Sequence, residues 1–141
     1  ESGHSAEGKW SDFGGGRENN ETELETALRE GEEELNGLFG NREILSNLVE
    51  KTNIIIKTKT FYTYLFEVQY DIYKVDELKI KYEYALQNKP ELVYAHNGLY
   101  EKDRGIWLKL EDVEKFRPNL RRWYHPIMTK IISYFKDNPK I

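Results

Sequence analysis

The chain has 141 residues, enough for one folded domain with a buried core. Its 33% charged residues nearly balance to a formal net charge of -4, which excludes a general attraction to nucleic acid or anionic membranes. An aromatic share of 13% excludes a disordered chain, and the lack of cysteine excludes disulfides and cysteine-bound zinc. Since no apolar run approaches the ~18 residues of a membrane span, we expect a soluble, cytoplasmic protein.

The segment before the first helix is expected to be mostly loop. Lys9–Phe13 is short and aromatic, as at the end of a strand, and it leads into three consecutive glycines, Gly14–Gly16. Glycine permits positive φ angles and a close approach of the backbone to a ligand. We therefore expect the glycine turn to lie against a bound group.

The first helix is predicted to begin near Thr22 and to stop at Asn36-Gly37, where a left-handed turn is favoured. Its apolar stripe consists of leucines, with one alanine beside them: Leu24, Ala27, Leu28 and Leu35. Gly31 lies inside this helix, where glycine costs about 1 kcal/mol relative to alanine. That cost predicts close packing at Gly31.

Further along, strand-like and helix-like segments alternate. The pattern predicts strands at Asn53–Lys57, Thr60–Tyr70 and Gly105–Leu110, the second of them near the centre of a sheet. It predicts helices at Val75–Asn88, at Glu111–Phe116 as a short turn, and at about 120–135, whereas residues 39–51 fit a strand or a helix equally well. The expected fold class is α/β, a mixed sheet with helices on both faces.

The first helix carries three carboxylates on one face. Glu30, Glu33 and Glu34 stand at i, i+3 and i+4, and no lysine or arginine lies between them. Like charges at this spacing repel by a few tenths of a kcal/mol per pair. A cation is therefore expected on that face, and a hard divalent ion such as Mg²⁺ or Ca²⁺ prefers such oxygen ligands.

Together with the glycine turn, this helix resembles the Nudix box. Six fixed positions of that motif are matched in register: Gly15, Glu21, Arg29, Glu30, Glu33 and Glu34. Trp10 ahead of Gly14-Gly15 and the segment Glu101–Leu110 resemble the approach and the later acidic loop of the family. Gly31 stands where the family has an aliphatic residue, and Asn36 stands where it has glycine.

The resemblance implies metal-dependent hydrolysis of a pyrophosphate bond in a nucleoside diphosphate linked to another moiety. In the family, the carboxylates that match Glu30, Glu33 and Glu34 hold Mg²⁺ or Mn²⁺, often with the carbonyl that matches Gly14. Arg29 is expected to pair with Glu21 and so to orient the site.

The catalytic residues that the resemblance implies are Glu33, Glu30, Arg29 and Glu101, and Asp103 is the second choice for the loop acid. Gly15, Gly16 and Arg17 are expected to contact the substrate. The implied fold is a single α/β/α sandwich over residues 1–141, with the box at 15–37. Since only fourteen residues precede Gly15, we expect this chain to lack the family's N-terminal strand.

The box leaves the substrate open among nucleoside triphosphates or nucleotide sugars, capped RNA, and diphosphoinositol or dinucleoside polyphosphates. Removal of mRNA caps is thus one alternative, and a non-catalytic nucleotide- or RNA-binding module is another. Tyr62, Tyr64 and Phe66 are expected in the core, and the three histidines are not expected to be ligands. Arg117–His125 mixes basic and aromatic residues that could hold RNA or polyphosphate, but a helix with Trp123 packed inward is favoured.

Overall fold

A computed structural model describes residues 8–94 and 102–139. The described residues are mixed helix and strand, α/β in the broad sense, with helix predominating. The helices are α1 (Glu23–Leu35), α2 (Arg42–Thr52), α3 (Lys74–Asn88), α4 (Pro90–Val93), α5 (Val113–Phe116) and α6 (His125–Asp137). The strands are β1 (Ile54–Lys57) and β2 (Tyr62–Leu65), and three 3₁₀ turns lie at Leu110–Asp112, Arg117–Asn119 and Arg122–Tyr124. No described helix is both long and apolar enough to cross a membrane.

The described residues form two compact units. The α1 unit consists of residues 13–54, 64–94 and 102–107, and the α6 unit consists of residues 8–12, 55–63 and 108–139. Each has its own cluster of buried apolar side chains.

Helix α1 begins and ends as the sequence predicted. Thr22 is its N-cap: its Oγ1 accepts a hydrogen bond from the Glu25 N–H at 3.1 Å, and the Glu25 carboxylate accepts one from the Thr22 N–H at 3.4 Å. This reciprocal capping box satisfies two N–H groups that a helix start leaves without partners. At the other end Asn36 and Gly37 have φ angles of 51° and 73°, the left-handed stop that was expected.

The undecided segment at 39–51 is mostly helix α2. Asn41 caps its start by accepting a hydrogen bond from the Ile44 N–H at 3.0 Å, and Asn53 ends it with a φ of 54°. Leu45 of this helix is only 2% exposed. It belongs to the buried core of the α1 unit, whose members are Leu28, Leu35, Leu38, Leu45 and Leu78.

The strand predictions are only partly right. β1 and β2 pair into a small antiparallel sheet, but only Tyr62–Leu65 of the predicted strand at 60–70 is extended and paired. Gly105–Leu110 is not a strand, and the prediction there is wrong. A strand needs a neighbour for its N–H and C=O groups, and the sheet of the described residues has two strands only. The Trp107 indole N–H instead donates to the Asp71 carbonyl at 2.8 Å.

In the α6 unit, the predicted strand end at Lys9–Phe13 is reduced to one bridge. The Trp10 N–H donates to the Asn119 carbonyl and the Trp10 carbonyl accepts from the Arg121 N–H, both at 2.8 Å. Helix α6 begins at His125 rather than at 120, because Pro126 fits the first turn of a helix and the preceding residues form 3₁₀ turns. The core here consists of Leu120, Tyr124 and Ile127, flanked by Trp10, Phe61, Phe116, Met128 and Ile131.

Candidate metal and catalytic site

Arg29 is the centre of the site that the sequence predicted. It is 9% exposed, and its guanidinium grips Glu21 in a bidentate pair, with Nε to Oε2 at 2.8 Å and Nη2 to Oε1 at 3.1 Å. Its Nη1 donates to Glu30 Oε1 at 2.9 Å. One planar cation therefore joins a carboxylate of the loop to a carboxylate of α1, a geometry that arginine favours.

The loop is held in place by the same pair. Arg29 Nη2 also donates to the Gly16 carbonyl at 3.0 Å. Glu21 Oε1 accepts from the Glu18 N–H at 2.8 Å and from the Thr26 hydroxyl at 3.2 Å. Glu21 thus acts as a structural anchor, since both its oxygens are already hydrogen-bonded.

Gly14 and Glu34 make the second link between loop and helix. The Glu34 side chain belongs to a residue only 2% exposed, and its Oε2 accepts from the Gly14 N–H at 2.9 Å. A charged acceptor paired with a backbone donor forms a strong hydrogen bond. The glycine turn is therefore tied to α1 at Gly14 as well as at Gly16.

Gly15 allows the backbone to approach the Glu30 carboxylate closely. A Cβ placed on Gly15 would lie 2.4 Å from Glu30 Oε1, which is inside van der Waals contact. Positive φ is not the reason for glycine at 14–16, because the described glycines with positive φ are Gly8, Gly37 and Gly40. The turn is expected to contact a ligand, and in this structure it contacts a protein carboxylate.

Two glutamates near Arg29, Glu21 and Glu33, have pKa values that are shifted in opposite directions. The bonds from Arg29, and then the one from the Glu18 N–H, lower the pKa of Glu21 from 4.5 to about 2. Burial, and then the negative charge of Glu30, raises the pKa of Glu33 above 4.5. The pKa of Arg29 itself is raised, chiefly by Glu21, so the guanidinium stays charged.

The predicted metal ligands share a helix face without forming a preassembled cage. Among residues 8–94 and 102–139, no three aspartate, glutamate, histidine or cysteine side chains are gathered so that they could hold a metal ion. The reason lies in their hydrogen bonds, since Glu30 is turned to Arg29 and Glu34 to the Gly14 N–H. Their chemistry still fits a hard divalent cation, because the donors are all carboxylate oxygens.

The remaining predicted residues are less closely joined to this cluster. Arg17 is exposed, and its Nη1 lies 3.8 Å from a carboxylate oxygen of Glu23. Asp103 is exposed and pairs with its neighbour Arg104 at 3.7 Å. Glu101 lies outside the described residues.

Two acidic residues have roles that the sequence did not predict. Glu18 Oε1 lies 3.7 Å from Arg29 Nη1, and its charge contributes to the raised pKa of Glu33. Glu32 faces away from the cluster and accepts from the Arg42 N–H at 2.6 Å, which joins α1 to α2. No spacing rule in the sequence predicts the role of Glu18. The contact of Glu32 does have a sequence signal, because the basic residue Arg42 follows the Asn41 cap.

Two predictions about aromatic and histidine residues can be compared with the structure. Tyr62 is 45% exposed rather than buried, while Tyr64 and Phe66 are partly buried. Trp123 is 40% exposed, so the favoured reading of an inward-packed Trp123 is wrong. Of the histidines, His125 is partly buried at the start of α6, and the other two lie outside the described residues.

Comparisons with protein-family models, with curated protein sequences and with solved structures gave no match for this chain. The functional assignment therefore depends on the register of the motif and on the contacts of Arg29.

Proposed function

We propose that this chain is a Nudix-type, metal-dependent hydrolase that cleaves a pyrophosphate bond in a nucleoside diphosphate linked to another moiety. The observation that carries the proposal is the position of Arg29. Its guanidinium donates hydrogen bonds to Glu21, to the Gly16 carbonyl and to Glu30. The first two of these groups belong to the loop and the third to α1, so Arg29 joins the two parts of the motif. The α/β/α sandwich of that family is part of the same proposal.

In this proposal the metal is Mg²⁺ or Mn²⁺, held by Glu30, Glu33 and Glu34 with the Gly14 carbonyl. When bound, such an ion neutralises the diphosphate and activates water for attack on phosphorus. The chain's own contribution is positional. Arg29 fixes the loop against α1 and keeps a positive charge beside the carboxylates, a supporting role that typically changes metal affinity or activity 10- to 100-fold.

The contacts of Arg29 and the carboxylate face concern the diphosphate and not the group attached to it. Nucleotide sugars, capped RNA and diphosphoinositol compounds share the diphosphate that the carboxylate face and its metal would engage. The alternative function is a nucleotide-binding module without catalysis, and a hydrolysis screen distinguishes it from a hydrolase.

The test is a hydrolysis screen of the purified chain with Mg²⁺ or Mn²⁺ against nucleoside triphosphates, nucleotide sugars, capped RNA, dinucleoside polyphosphates and inositol pyrophosphates. Glu34→Gln removes a charge but keeps an oxygen that can accept from the Gly14 N–H. We expect it to lower turnover at least about 100-fold, since it removes a metal ligand rather than a supporting residue.

The matched control is Glu50→Gln, which removes the same charge from an exposed position on α2. It should retain full activity. Inactivity of the parent chain toward every compound would overturn the hydrolase assignment. Activity that survives Glu34→Gln would instead overturn the placement of the site.

A further inference from the structure

The chain has a small net charge, but one of its two units is strongly cationic. Among the described residues of the α6 unit there are ten lysines and arginines against five aspartates and glutamates, a formal charge of +5. In the α1 unit the same count is ten against seventeen, a formal charge of -7. A local field of this kind attracts polyanions even when the whole chain is acidic.

Within the α6 unit, two aromatic rings are exposed, and one of them lies beside a lysine. The Trp123 ring is 40% exposed and packs on Phe61, with ring centroids 5.0 Å apart and planes inclined by 33°. The Tyr62 ring is 45% exposed, and the Lys57 ammonium lies 5.3 Å from its centroid. What distinguishes these two rings from the exposed tyrosines of the α1 unit is that they lie in the cationic unit.

These two pairs lie at the turn of one hairpin, and a hydrogen bond ties helix α6 to the same hairpin. Lys130 on α6 donates to the carbonyl of Lys57 at the end of β1. Phe61 and Tyr62 are adjacent on the returning side of the same hairpin. We call this region, made of Lys57, Lys59, Phe61, Tyr62, Arg122, Trp123 and Lys130, the Trp123 surface.

The cations of the Trp123 surface are not neutralised within the described chain. Lys57, Lys59, Arg122 and Lys130 form no ion pair with any described carboxylate, whereas Arg117 in the same unit is paired with Glu114 at 2.9 Å. Next to Arg122, the Nε of Arg121 is buried and has no hydrogen-bond partner among the described residues. Positive charge is therefore left over at this surface.

From these observations we infer that the Trp123 surface binds single-stranded nucleic acid. Unpaired bases stack on Trp123 and Tyr62, and the phosphates lie along Lys57, Lys59, Arg122 and Lys130. Exposed rings interleaved with cations suit this ligand, because every unpaired base offers a π face and every nucleotide carries a charge. A duplex hides its base faces, whereas a single strand presents a base and a phosphate at every position. The inference does not depend on hydrolase activity, since these residues lie outside the α1 unit.

The first measurement is fluorescence anisotropy of the full chain with a labelled mixed-sequence RNA of about 12 nucleotides, within the footprint of such surfaces. DNA of the same sequence, the corresponding RNA duplex and vesicles of anionic phospholipid are compared at about 50 mM salt. EDTA is present throughout, so that binding is read without any metal-dependent reaction. We expect both single strands to bind in preference to the duplex and the vesicles, and the RNA to DNA ratio tells which of the two is the better ligand.

Trp123→Ala should weaken single-strand binding at least about fivefold, because stacking of one base on an aromatic side chain contributes ~1–3 kcal/mol. Trp123→Phe should retain most of the affinity while losing the quench of tryptophan emission that stacking produces. The matched control is Tyr84→Ala, which removes a 61% exposed ring from α3 in the other unit and should leave binding unchanged.

A charge variant keeps the test valid if Trp123→Ala fails to fold. Lys59→Gln combined with Arg122→Gln removes two exposed cations, and the slope of log affinity against log salt should become shallower by about 1.4. Lys51→Gln combined with Lys89→Gln removes two exposed cations of the α1 unit and should not change that slope. Equal effects of the two double variants, tighter binding to vesicles or duplex, or no single-strand binding at about 50 mM salt would each overturn the inference.

Discussion

At Arg29 a single guanidinium donates to carboxylates on both the loop and the helix, and to the carbonyl of Gly16. Its 9% exposure means that these bonds are made largely out of water, where charged hydrogen bonds are strong and the loss of one partner is costly. The order of the glycine turn is therefore linked to the protonation state of the carboxylates around this side chain.

The first prediction concerns acid stability. The pKa of Glu21 is lowered from 4.5 to about 2 by its bonds from Arg29, so ionised Glu21 stabilises the folded state above pH 4.5. That contribution is lost as the pH falls from 4.5 toward 2. In urea denaturation series across this range, the parent chain should exceed Glu21→Gln in stability at pH 6, and the difference should vanish near pH 2. A difference that stays constant with pH would contradict the pairing.

The glycine turn gives a second prediction, at Gly15. An alanine there would place a Cβ 2.4 Å from Glu30 Oε1, so the flexible carboxylate must swing away. We expect Gly15→Ala to weaken Mn²⁺ binding at least about tenfold, as loss of supporting contacts of a metal site does, and to lower thermal stability, because Glu30 also loses its hydrogen bond from Arg29. Isothermal titration with Mn²⁺ measures the affinity.

Gly16→Ala is the matched control for this change. No heavy atom lies within 4 Å of a Cβ built on Gly16, so its Mn²⁺ affinity should stay at the parental value. Equal affinities for the two variants would show that Glu30 does not contribute to the metal site.

The contacts of Arg29 in this candidate site could be predicted because their signals are matters of residue type and spacing. Glu21, Arg29 and Glu30 were named from register alone, and the structure brings all three together. The orientation of Glu30 toward Arg29 could not be predicted, since it depends on which neighbours compete for one carboxylate. The role of Glu18 could not be predicted for a related reason, because it reaches Arg29 through the fold of the loop.

Among the elements, α1 shows what local chemistry determines. Its start rests on a reciprocal bond between Thr22 and Glu25, and its end on the left-handed conformation of Asn36, both within one turn of sequence. Asn41 and Asn53 mark α2 in the same way, so that helix also had local signals. Residues 105–110 have the composition of a strand. A strand forms only beside another strand, however, and composition alone does not show whether one is present.

Gly31 carries the third prediction. Close packing was expected there, yet a Cβ built on Gly31 would meet only Leu45 Cδ1, at 3.6 Å, an ordinary contact. Gly31→Ala should therefore raise the stability of the chain by about 0.5–1 kcal/mol, because alanine loses less backbone entropy in a helix. Chemical denaturation measures the gain.

Gly37→Ala provides the opposite case for comparison. There is open space around Gly37, but its φ of 73° is strained for any residue with a Cβ. This variant should lose about 1 kcal/mol. If Gly31→Ala also proved destabilising, that result would support the close packing that the sequence predicts at Gly31.

For the whole molecule, the two units have separate apolar clusters and opposite formal charges. The fourth prediction addresses the core of the α6 unit, in which Ile127 is 1% exposed. Ile127→Ala should destabilise the chain by about 2–5 kcal/mol through lost burial and the cavity that remains. Urea unfolding is followed by tryptophan emission, to which this unit contributes Trp10 and Trp123 and the other unit contributes Trp107.

The control for Ile127→Ala is Ile80→Ala on α3, where the side chain is 63% exposed. Its effect should stay within about 0.5 kcal/mol, as for most surface changes. Similar losses for both variants would mean that the apolar cluster around Ile127 is not a core.

The bond from the Gly14 N–H to Glu34 also has a consequence for amide hydrogen exchange. Gly14 lies in a loop, where amides ordinarily exchange fast, but this one is covered by a buried carboxylate and should exchange slowly. If Glu34 is a metal ligand, adding Mg²⁺ draws that carboxylate away and the Gly14 amide should exchange faster, while amides in the middle of α2 stay unchanged. Exchange measured by NMR with and without Mg²⁺ would then follow occupation of the site without any substrate.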